Sequence, residues 1–122
     1  MRILVVEDTD DIRDLFTLLL TEEGLTVSAA ANGREAIEAA ARGDIDVLLT
    51  DLGLPDIPGD IVIRAILERA ERQPRVIVVT GYGEPYQSRA LEAGADVVLT
   101  KPVSWSTLLQ HLRLPDRDRV AA

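Results

Sequence analysis

The stretch from Asp46 to Asp51, with the sequence DVLLTD, contains three consecutive aliphatic residues followed by a polar pair. A short apolar run without polar alternation is typical of a strand that is covered on both faces of a parallel sheet. The stretch from Arg75 to Thr80, with the sequence RVIVVT, has the same character. Together they predict a parallel sheet enclosed between layers of helices.

On either side of these runs, further short β-branched or leucine-rich runs alternate with segments of helical length. The five predicted strands are Arg2–Glu7, Leu25–Ala30, Asp46–Thr50, Arg75–Val79 and Asp96–Thr100. Repeated strand–helix units of this kind build a doubly wound α/β fold with helices on both faces of the sheet. We therefore predict a five-stranded parallel sheet of this class.

The segments between and after the strands have helical periodicity. The inward stripes predicted for the first and last helices are Ile12, Leu15, Phe16 and Leu19, and Trp105, Leu108, Leu109 and Leu112. The fourth helix, near residues 85–93, has only Ala90, Leu91 and Ala93 as anchors, so we expect it to be the loosest. His111 falls off its helix's stripe and is expected on the surface.

The size and charge of the chain limit what it can do. Its 122 residues suit one domain, which we place at residues 1–114, with a short tail or linker at residues 115–122. The 13 basic and 21 acidic residues give a net charge of -8, which disfavours direct binding to nucleic acid or to an anionic membrane. The lack of cysteine excludes disulfides and thiolate metal sites. No apolar run suits a signal peptide or a membrane span, so we expect a cytoplasmic protein.

Polar residues follow four of the five predicted strands. Glu7 and Asp8 end the first strand, Asp51 follows the third, Thr80 the fourth and Lys101 the fifth. Ligands of doubly wound sheets bind outside the carboxyl ends of the strands, where these residues stand. Right-handed crossovers place the first and third strands side by side, so we expect the three carboxylates to converge in one crevice.

Converging carboxylates repel one another unless a cation is present. Oxygen ligands without Cys or His suit a hard cation such as Mg²⁺. Helix capping is an alternative for Glu7 and Asp8, because acidic residues near a helix start complement the helix dipole. Capping does not explain Asp51, which precedes the stretch Leu52-Gly53-Leu54-Pro55, where no helix is predicted.

Lys101 is the only lysine of the chain. Its ammonium, on a flexible stem, can reach a phosphate or a carboxylate, although a single lysine after a strand is usually just solvated. Thr80 adds a hydroxyl, although it also suits an ordinary turn. Carboxylates with a divalent cation, an ammonium and a hydroxyl are the groups that phosphoryl transfer to an aspartate needs. Asp51 is the predicted nucleophile, because Glu7 and Asp8 precede a helix and suit fixed ligands.

With these residues, the sequence resembles the response-regulator receiver domains of bacterial two-component signalling over about residues 1–114. The motifs that carry the resemblance are Val5-Val6-Glu7-Asp8, Leu49-Thr50-Asp51-Leu52-Gly53-Leu54-Pro55 with Pro58-Gly59, Val79-Thr80-Gly81, and Gly94-Ala95-Asp96 leading to Leu99-Thr100-Lys101-Pro102. Their order and spacing are highly specific. The resemblance implies a flavodoxin-like sheet with strand order 2-1-3-4-5.

The resemblance also implies a phosphorelay switch. Asp51 would accept a phosphoryl group from a sensor histidine kinase or a histidine phosphotransfer protein in a Mg²⁺-dependent reaction. Asp8 would bind Mg²⁺ directly with Asp51 and the carbonyl of Gly53, and Glu7 would act mainly through water. The domain would catalyse only its own phosphorylation and dephosphorylation.

Further roles follow from the same resemblance. Thr80 would be the switch hydroxyl, and Lys101 would contact the phosphoryl group, with a cis bond to Pro102. The fourth helix, the fifth strand and the fifth helix would form the surface of a homodimer.

Three residues bear on how such a switch works. The family usually has Tyr or Phe three residues before the lysine, and here that position is Val98, so the usual aromatic readout is missing. Gly53 has no side chain, and Tyr82 stands two residues past Thr80. We expect both positions to lie next to the acyl phosphate. We predict an altered phosphoryl lifetime.

Three alternatives remain. A degenerate receiver would bind partners without being phosphorylated, which Val98 favours and the complete set of charged and hydroxyl residues disfavours. A flavodoxin-like nucleotide binder is disfavoured because the first strand leads into the acidic stretch Glu7–Asp11 rather than a glycine-rich loop. A metal-dependent aspartyl phosphohydrolase would need a cap or substrate pocket, for which 122 residues leave little chain.

Overall fold

Five parallel strands form one sheet in the computed structural model, which describes residues 1–113. The strands are β1 (Arg2–Val6), β2 (Thr26–Ala30), β3 (Val47–Thr50), β4 (Arg75–Thr80) and β5 (Val97–Thr100). Their spatial order is β2-β1-β3-β4-β5, and every neighbouring pair is parallel. The predicted fold class and strand order are therefore confirmed.

Helices connect the strands and cover both faces of the sheet. They are α1 (Asp10–Glu22), α2 (Gly33–Ala41), α3 (Gly59–Arg69), α4 (Tyr86–Ala93) and α5 (Trp105–Arg113). The strand ends differ from the predicted ones by one residue at most. Asp46 and Asp96, predicted as strand residues, lie just before β3 and β5, because their carboxylates accept the N–H groups of Arg2 and Val76, both at 2.7 Å.

Apolar side chains fill the space on both faces of the sheet. On the face covered by α2, α3 and α4, the buried residues include Leu4, Val6, Leu48, Val76, Val78, Val62, Ile63 and Ile66. On the face covered by α1 and α5, they include Ile3, Val5, Val47, Leu49, Ile77, Val79, Leu20, Leu108 and Leu112. Because successive strand residues point to opposite faces, burial on both explains the uninterrupted apolar runs of β1, β3 and β4.

Helix α1 is rotated relative to its predicted stripe. Ile12 and Leu15, predicted to face inward, are 39% and 53% exposed, whereas Leu20 is fully buried. Arg13 turns toward the protein instead, because its guanidinium donates a hydrogen bond to the carbonyl oxygen of Glu7 at 2.9 Å. The inward side of α1 therefore includes Arg13, Phe16 and Leu20, so the prediction is confirmed for Phe16, which packs against the core, and wrong for Ile12 and Leu15.

Helix α4 has fewer anchors than the sequence predicts. Ala90 and Ala93 are buried, but Leu91 is 51% exposed, so its predicted anchoring role is wrong. The buried side chains that α4 contributes to the core are thus two methyl groups.

Helix α5 packs through its predicted stripe. Leu108 and Leu112 are buried, and Trp105 stacks on Phe16 of α1 with the ring centroids 6.4 Å apart. The prediction for His111 is wrong, because its side chain is partly buried and its Nδ1 atom has no hydrogen-bond partner within residues 1–113. His111 flanks the buried stripe one helical turn after Leu108, which accounts for its partial burial.

No helix within residues 1–113 is both long enough and apolar enough to cross a membrane. The predicted tail at residues 115–122 and the last residue of the predicted domain, Leu114, lie outside the described residues.

Candidate functional site

The predicted site residues stand at one edge of the sheet. Glu7 and Asp51 directly follow paired residues of β1 and β3, and Lys101 directly follows the β5 residue that pairs with Thr80. All these side chains therefore begin at the carboxyl ends of the strands. Three of the strands, β1, β3 and β4, are neighbours in the sheet, and β5 lies beyond β4.

Lys101 contacts two carboxylates at this edge. Its ammonium donates a hydrogen bond to Asp51 Oδ2 at 2.8 Å and lies 3.6 Å from Glu7 Oε1. The side chains of Glu7 and Asp51 are 5% and 14% exposed, whereas that of Lys101 is 37% exposed. Two largely buried carboxylates thus share one ammonium that solvent can reach.

The backbone after β3 holds the carboxylate of Asp51 in place. Its Oδ1 atom accepts the N–H groups of Leu52 at 2.6 Å and Gly53 at 3.3 Å. Gly59, at the start of α3, lets this loop pack closely, because a Cβ there would lie 2.6 Å from Leu52 Cα and 2.9 Å from the carbonyl oxygen of Asp51. One carboxylate oxygen of Asp51 is therefore bound by the backbone, and the other faces Lys101.

The charged groups shift one another's pKa values. Burial raises the pKa of Glu7, and the nearby Asp8 and Asp51 carboxylates act in the same direction, while the N–H of Thr9 and the charge of Lys101 oppose them. Burial alone would raise the pKa of Asp51, but its contact with Lys101 and the backbone N–H groups lower it. Burial alone would lower the pKa of Lys101, but the two carboxylates raise it. Asp51 and Lys101 are therefore held as an ion pair at neutral pH.

Glu7 and Asp8 lie in the turn between β1 and α1. Glu7 Oε2 accepts the N–H of Thr9, the residue just before α1, at 3.0 Å, which agrees in part with the capping alternative. The other carboxylate oxygen of Glu7 faces Lys101. The Asp8 side chain is exposed. Arg13, which donates to the Glu7 carbonyl oxygen, was not predicted at this site, because an arginine in an amphipathic helix normally faces solvent.

Thr80 is fully buried, and the loop after β4 engages its hydroxyl. Thr80 Oγ1 accepts the N–H of Tyr82 at 3.2 Å. Gln87 of α4 donates from Nε2 to the carbonyl oxygen of Tyr82 at 2.7 Å and to Thr100 Oγ1 at 3.0 Å. Gln87 thus joins this loop to the residue before Lys101. Nothing in the sequence pattern pointed to Gln87, since glutamine on a short helix is usually solvated.

Asp56 ties the loop after Asp51 to the start of α2. Its carboxylate accepts the N–H groups of Gly33 at 2.8 Å and Arg34 at 3.0 Å, which have no partner inside the helix. These hydrogen bonds, led by that from Arg34, lower the pKa of Asp56. The pair Pro55-Asp56 suggests only a turn in the sequence, so this contact was missed as well.

The oxygen donors at this edge fit a hard divalent cation. The predicted convergence of three carboxylates is met by Glu7 and Asp51, which share Lys101, whereas Asp8 is exposed. Within residues 1–113, no three His, Cys, Asp or Glu side chains converge closely enough to hold a metal ion by themselves. The ligands that the family resemblance implies are the carboxylates of Asp8 and Asp51 and the carbonyl of Gly53, with Glu7 acting mainly through water. Mg²⁺ is usually bound through one or two carboxylates with several waters, so this set suits it. Burial is the main cause of the raised pKa of Glu7, and the Asp8 and Asp51 carboxylates add to it, so negative charge is gathered at this edge.

The sequence matches a protein family over nearly all of the described residues. Residues 3–113 match the model of the response regulator receiver domain. The chain belongs to this family. The resemblance drawn from the sequence motifs is therefore confirmed.

Individual relatives of this receiver domain agree with that assignment. The chain is 34% identical over 114 residues to the transcriptional regulatory protein CusR of Escherichia coli (strain K12), covering 93% of this chain and 50% of CusR. It spans about half the length, or less, of the curated relatives that it matches.

Two solved structures also resemble the receiver domain. TrrA from Thermotoga maritima, in complex with Mg(2+)-BeF, is 30% identical with a TM-score of 0.81, covering 92% of this chain and 96% of TrrA. A response regulator protein from Burkholderia pseudomallei, with a phosphorylated aspartic acid, a calcium ion and citrate, is 26% identical with a TM-score of 0.85, covering 98% of this chain and 71% of that protein.

Two local features bear on the family comparison. Val98, at the position where the resemblance implies an aromatic residue, is half-buried and packs against the core between the sheet and helices α2, α3 and α4. The Lys101–Pro102 bond is cis, as expected, and so is the Glu84–Pro85 bond, which was not predicted.

Proposed function

We propose that the receiver domain accepts a phosphoryl group on Asp51 from the histidine of a sensor kinase or phosphotransfer protein, in a reaction that depends on Mg²⁺. The observation that carries this proposal is the 2.8 Å contact between Lys101 and Asp51, beside the second carboxylate of Glu7. An aspartate that only stabilised the fold would need one partner of opposite charge. Here Glu7, a second and nearly buried acid, also lies beside the Lys101 ammonium that pairs with Asp51.

Asp51 acts as the nucleophile. A carboxylate oxygen of Asp51 forms a bond to phosphorus while the P–N bond to the donor histidine breaks, and the electron pair stays on the imidazole. The lowered pKa of Asp51 keeps its carboxylate ionised at neutral pH, so no base is needed to activate it. The backbone N–H groups that bind Oδ1 fix its orientation before the donor arrives.

Asp8, Asp51 and the carbonyl of Gly53 would hold Mg²⁺, with Glu7 acting through water. When bound, the cation would neutralise the carboxylates and the incoming phosphoryl oxygens. The Mg(2+)-BeF complex of TrrA supports a divalent cation in this proposal.

Lys101 and Thr80 hold the transferred group. The ammonium already lies at the carboxylate and turns to a phosphoryl oxygen by rotation of its side chain. The Thr80 hydroxyl now accepts the N–H of Tyr82, and its own proton is free to be donated to a second phosphoryl oxygen. Phosphorylation turns a charge of −1 into about −2, and this change biases α4 and β5 toward a second conformation.

The domain acts as a switch rather than a metabolic enzyme, because its own aspartate is the phosphorylated product. Its catalysis is limited to its own phosphorylation and dephosphorylation. We place the homodimer surface on α4, β5 and α5. We assign no nucleic-acid contact to the receiver domain itself, because its net charge is -8, and we place it in the cytoplasm.

Intact-mass spectrometry with a small phosphodonor tests this function. Acetyl phosphate and Mg²⁺ should add one phosphoryl group to the wild-type domain, and hydroxylamine, which cleaves acyl phosphates, should remove it. Asp51→Asn should remain unmodified. Asp60→Asn removes a carboxylate from the first turn of α3, near the same loop, and should be modified like the wild type.

The degenerate receiver is the second candidate, which the aliphatic Val98 favours. Its expected result is an unmodified mass together with Mg²⁺ binding, measured by titration calorimetry on the same sample. That result would overturn phosphorylation of Asp51 while leaving the metal site in place.

A further inference from the structure

A cavity lies at the end of the sheet opposite to Asp51. It has a volume of about 270 Å³ and is lined by the ends of α2 and α3 and by the loops that lead from them into β3 and β4. Asp51 and Thr80 stand at the carboxyl ends of these two strands, whereas the cavity lies beside their amino ends. It shares no lining residue with the phosphorylation site.

The wall of this cavity is apolar where the two helices meet. It is formed by Ile37 and Ala40 of α2, by Ile45 of the following loop, and by Ala65 and Ile66 of α3. All five side chains are buried or half-buried. Because the two alanines end at a methyl group, they leave space between the helices that hydrocarbon can fill. We call this space the α2–α3 cavity.

Three exposed guanidinium groups stand at the opening of the α2–α3 cavity. They belong to Arg42, which follows α2, to Arg69, which ends α3, and to Arg72. Arg72 pairs with Asp46. Arg42 and Arg69 form no ion pair within residues 1–113. Two guanidinium groups beside an apolar wall are therefore free to bind an anion.

The local charge at the opening has the opposite sign to that of the whole chain. The chain has 13 basic and 21 acidic residues, whereas the cavity is lined by three arginines and two acids, Asp44 and Glu71. Charges that are more than about 8–10 Å apart are largely screened at physiological ionic strength. An anion at this opening is therefore attracted by the nearby arginines and only weakly repelled by the distant acids.

We propose that the α2–α3 cavity binds a small organic anion, with its hydrocarbon body against the apolar wall and its carboxylate or phosphate group on Arg42 and Arg69. A planar guanidinium binds either head group through paired hydrogen bonds. Ligand sites start at about 300 Å³, so a cavity of this size takes a small molecule. The proposal goes beyond phosphorylation of Asp51 and does not depend on it.

Stabilisation of the helix ends is the other role that these arginines could have. Cations near the carboxyl end of a helix complement its dipole, and Arg42 and Arg69 stand at the ends of α2 and α3. That role needs no cavity beside the charge. Ligand binding and helix stability are measured separately, so an experiment can distinguish the two roles.

A titration with hexanoate, followed by the backbone amide NMR signals in the absence of Mg²⁺, tests the site. Hexanoate should shift the signals of Ile45, Ala65 and Ala70 in a saturable way and leave that of Asp51 in place. Acetate, which lacks the hydrocarbon body, and hexylammonium, which has the opposite charge, should bind much more weakly. Hexyl phosphate tests the second head group on the same wall.

Variants assign the two parts of the site. Arg42→Ala and Arg69→Ala should each weaken the binding of hexanoate about fivefold, the size of one exposed charge contact. Arg64→Ala removes an exposed guanidinium of α3 that does not line the cavity, and should bind like the wild type. Ala65→Leu fills the cavity and should abolish binding, while its NMR signals far from α3 show that it is folded.

The outcomes decide between a site for anions and a surface hollow. Equal affinity for hexanoate and hexylammonium, or for hexanoate and acetate, would overturn the proposal. Unchanged affinity in both Arg42→Ala and Arg69→Ala would also overturn it and would leave these arginines with the helix-end role alone. Binding of only one of hexanoate and hexyl phosphate would support the site and identify its head group. None of these results depends on whether Asp51 is phosphorylated.

Discussion

Lys101 donates a hydrogen bond to Asp51 across 2.8 Å, although the two residues are 50 positions apart in the chain. They follow β5 and β3, and β4 lies between these strands. The lysine side chain therefore spans the end of a whole strand to reach the carboxylate. This contact keeps the pKa of Asp51 low in a place where burial alone would raise it.

Replacement of Lys101 by Ala should raise the pKa of Asp51, because burial is then no longer outweighed by an ammonium. NMR titration of the Asp51 carboxyl carbon measures this shift. Acetyl phosphate should also modify Lys101→Ala more slowly, while Mg²⁺ affinity is retained. Arg113→Ala removes a cation that pairs with Glu23 and should change none of these quantities. Loss of Mg²⁺ binding in Lys101→Ala would show that its assigned role is wrong.

Mg²⁺ should stabilise the domain through Asp8. A ligand that binds only the folded state raises its stability by about 2.7 kcal/mol at a hundred times its dissociation constant. Thermal unfolding of the wild type should therefore shift upward as Mg²⁺ is added, and Asp8→Asn should lose most of the shift. Asp11→Asn, which removes an acid from the first turn of α1, serves as the control. An equal shift in Asp8→Asn and the wild type would remove Asp8 from the ligand set.

Gly59→Ala should destabilise the domain by about 1–3 kcal/mol, the usual cost of forcing extra volume into a packed site. The added Cβ would lie 2.6 Å from Leu52 Cα, so the backbone that carries Asp51 must move. Gly83→Ala is the control, because nothing lies within 4 Å of its added Cβ. Urea unfolding compares the two variants. If Gly59→Ala and Gly83→Ala had equal free energies of unfolding, the close packing of Gly59 against Leu52 would not contribute to stability.

Asp56→Asn should lower the free energy of unfolding at neutral pH, because the ionised carboxylate caps α2. The pKa of Asp56 is lower in the folded state than its ordinary value of 3.8. The stability that the carboxylate contributes is therefore fully present above pH 3.8 and is lost as the pH falls through the pKa of the folded state. Urea unfolding over a pH series should therefore show a gap between the wild type and Asp56→Asn that closes in acid. Asp44→Asn, an exposed acid outside this contact, should show no gap. A gap that is constant with pH would contradict the capping role.

The sheet and the edge that carries the site could be predicted because they depend on local patterns. The runs before Asp51 and Thr80 are apolar without interruption, which indicates strands covered on both faces. The parallel order then places the residues after the strands at one edge. Lys101 could be assigned to that edge because it follows the fifth strand directly.

Contacts between side chains of different loops could not be predicted in this way. The cap of α2 by Asp56 joins residues 23 positions apart, and only the folded loop brings them together. The placement of the Tyr82 ring against Gly53 depends on how two loops pack. In α1, Leu20 is buried and Arg13 contacts the Glu7 carbonyl oxygen while Ile12 stays exposed, a choice of inward face that only the packing of the folded chain settles.

Chemical mapping of the phosphorylated residue tests most directly the claim that the carboxylate held by Lys101 accepts the phosphoryl group. Borohydride reduces an aspartyl phosphate to homoserine, so peptide mass spectrometry after treatment with acetyl phosphate and Mg²⁺ locates the modified position. We expect homoserine at position 51 alone, and none when Mg²⁺ or the phosphodonor is left out. Homoserine in place of Asp8 or Asp56, or at no position, would contradict the claim.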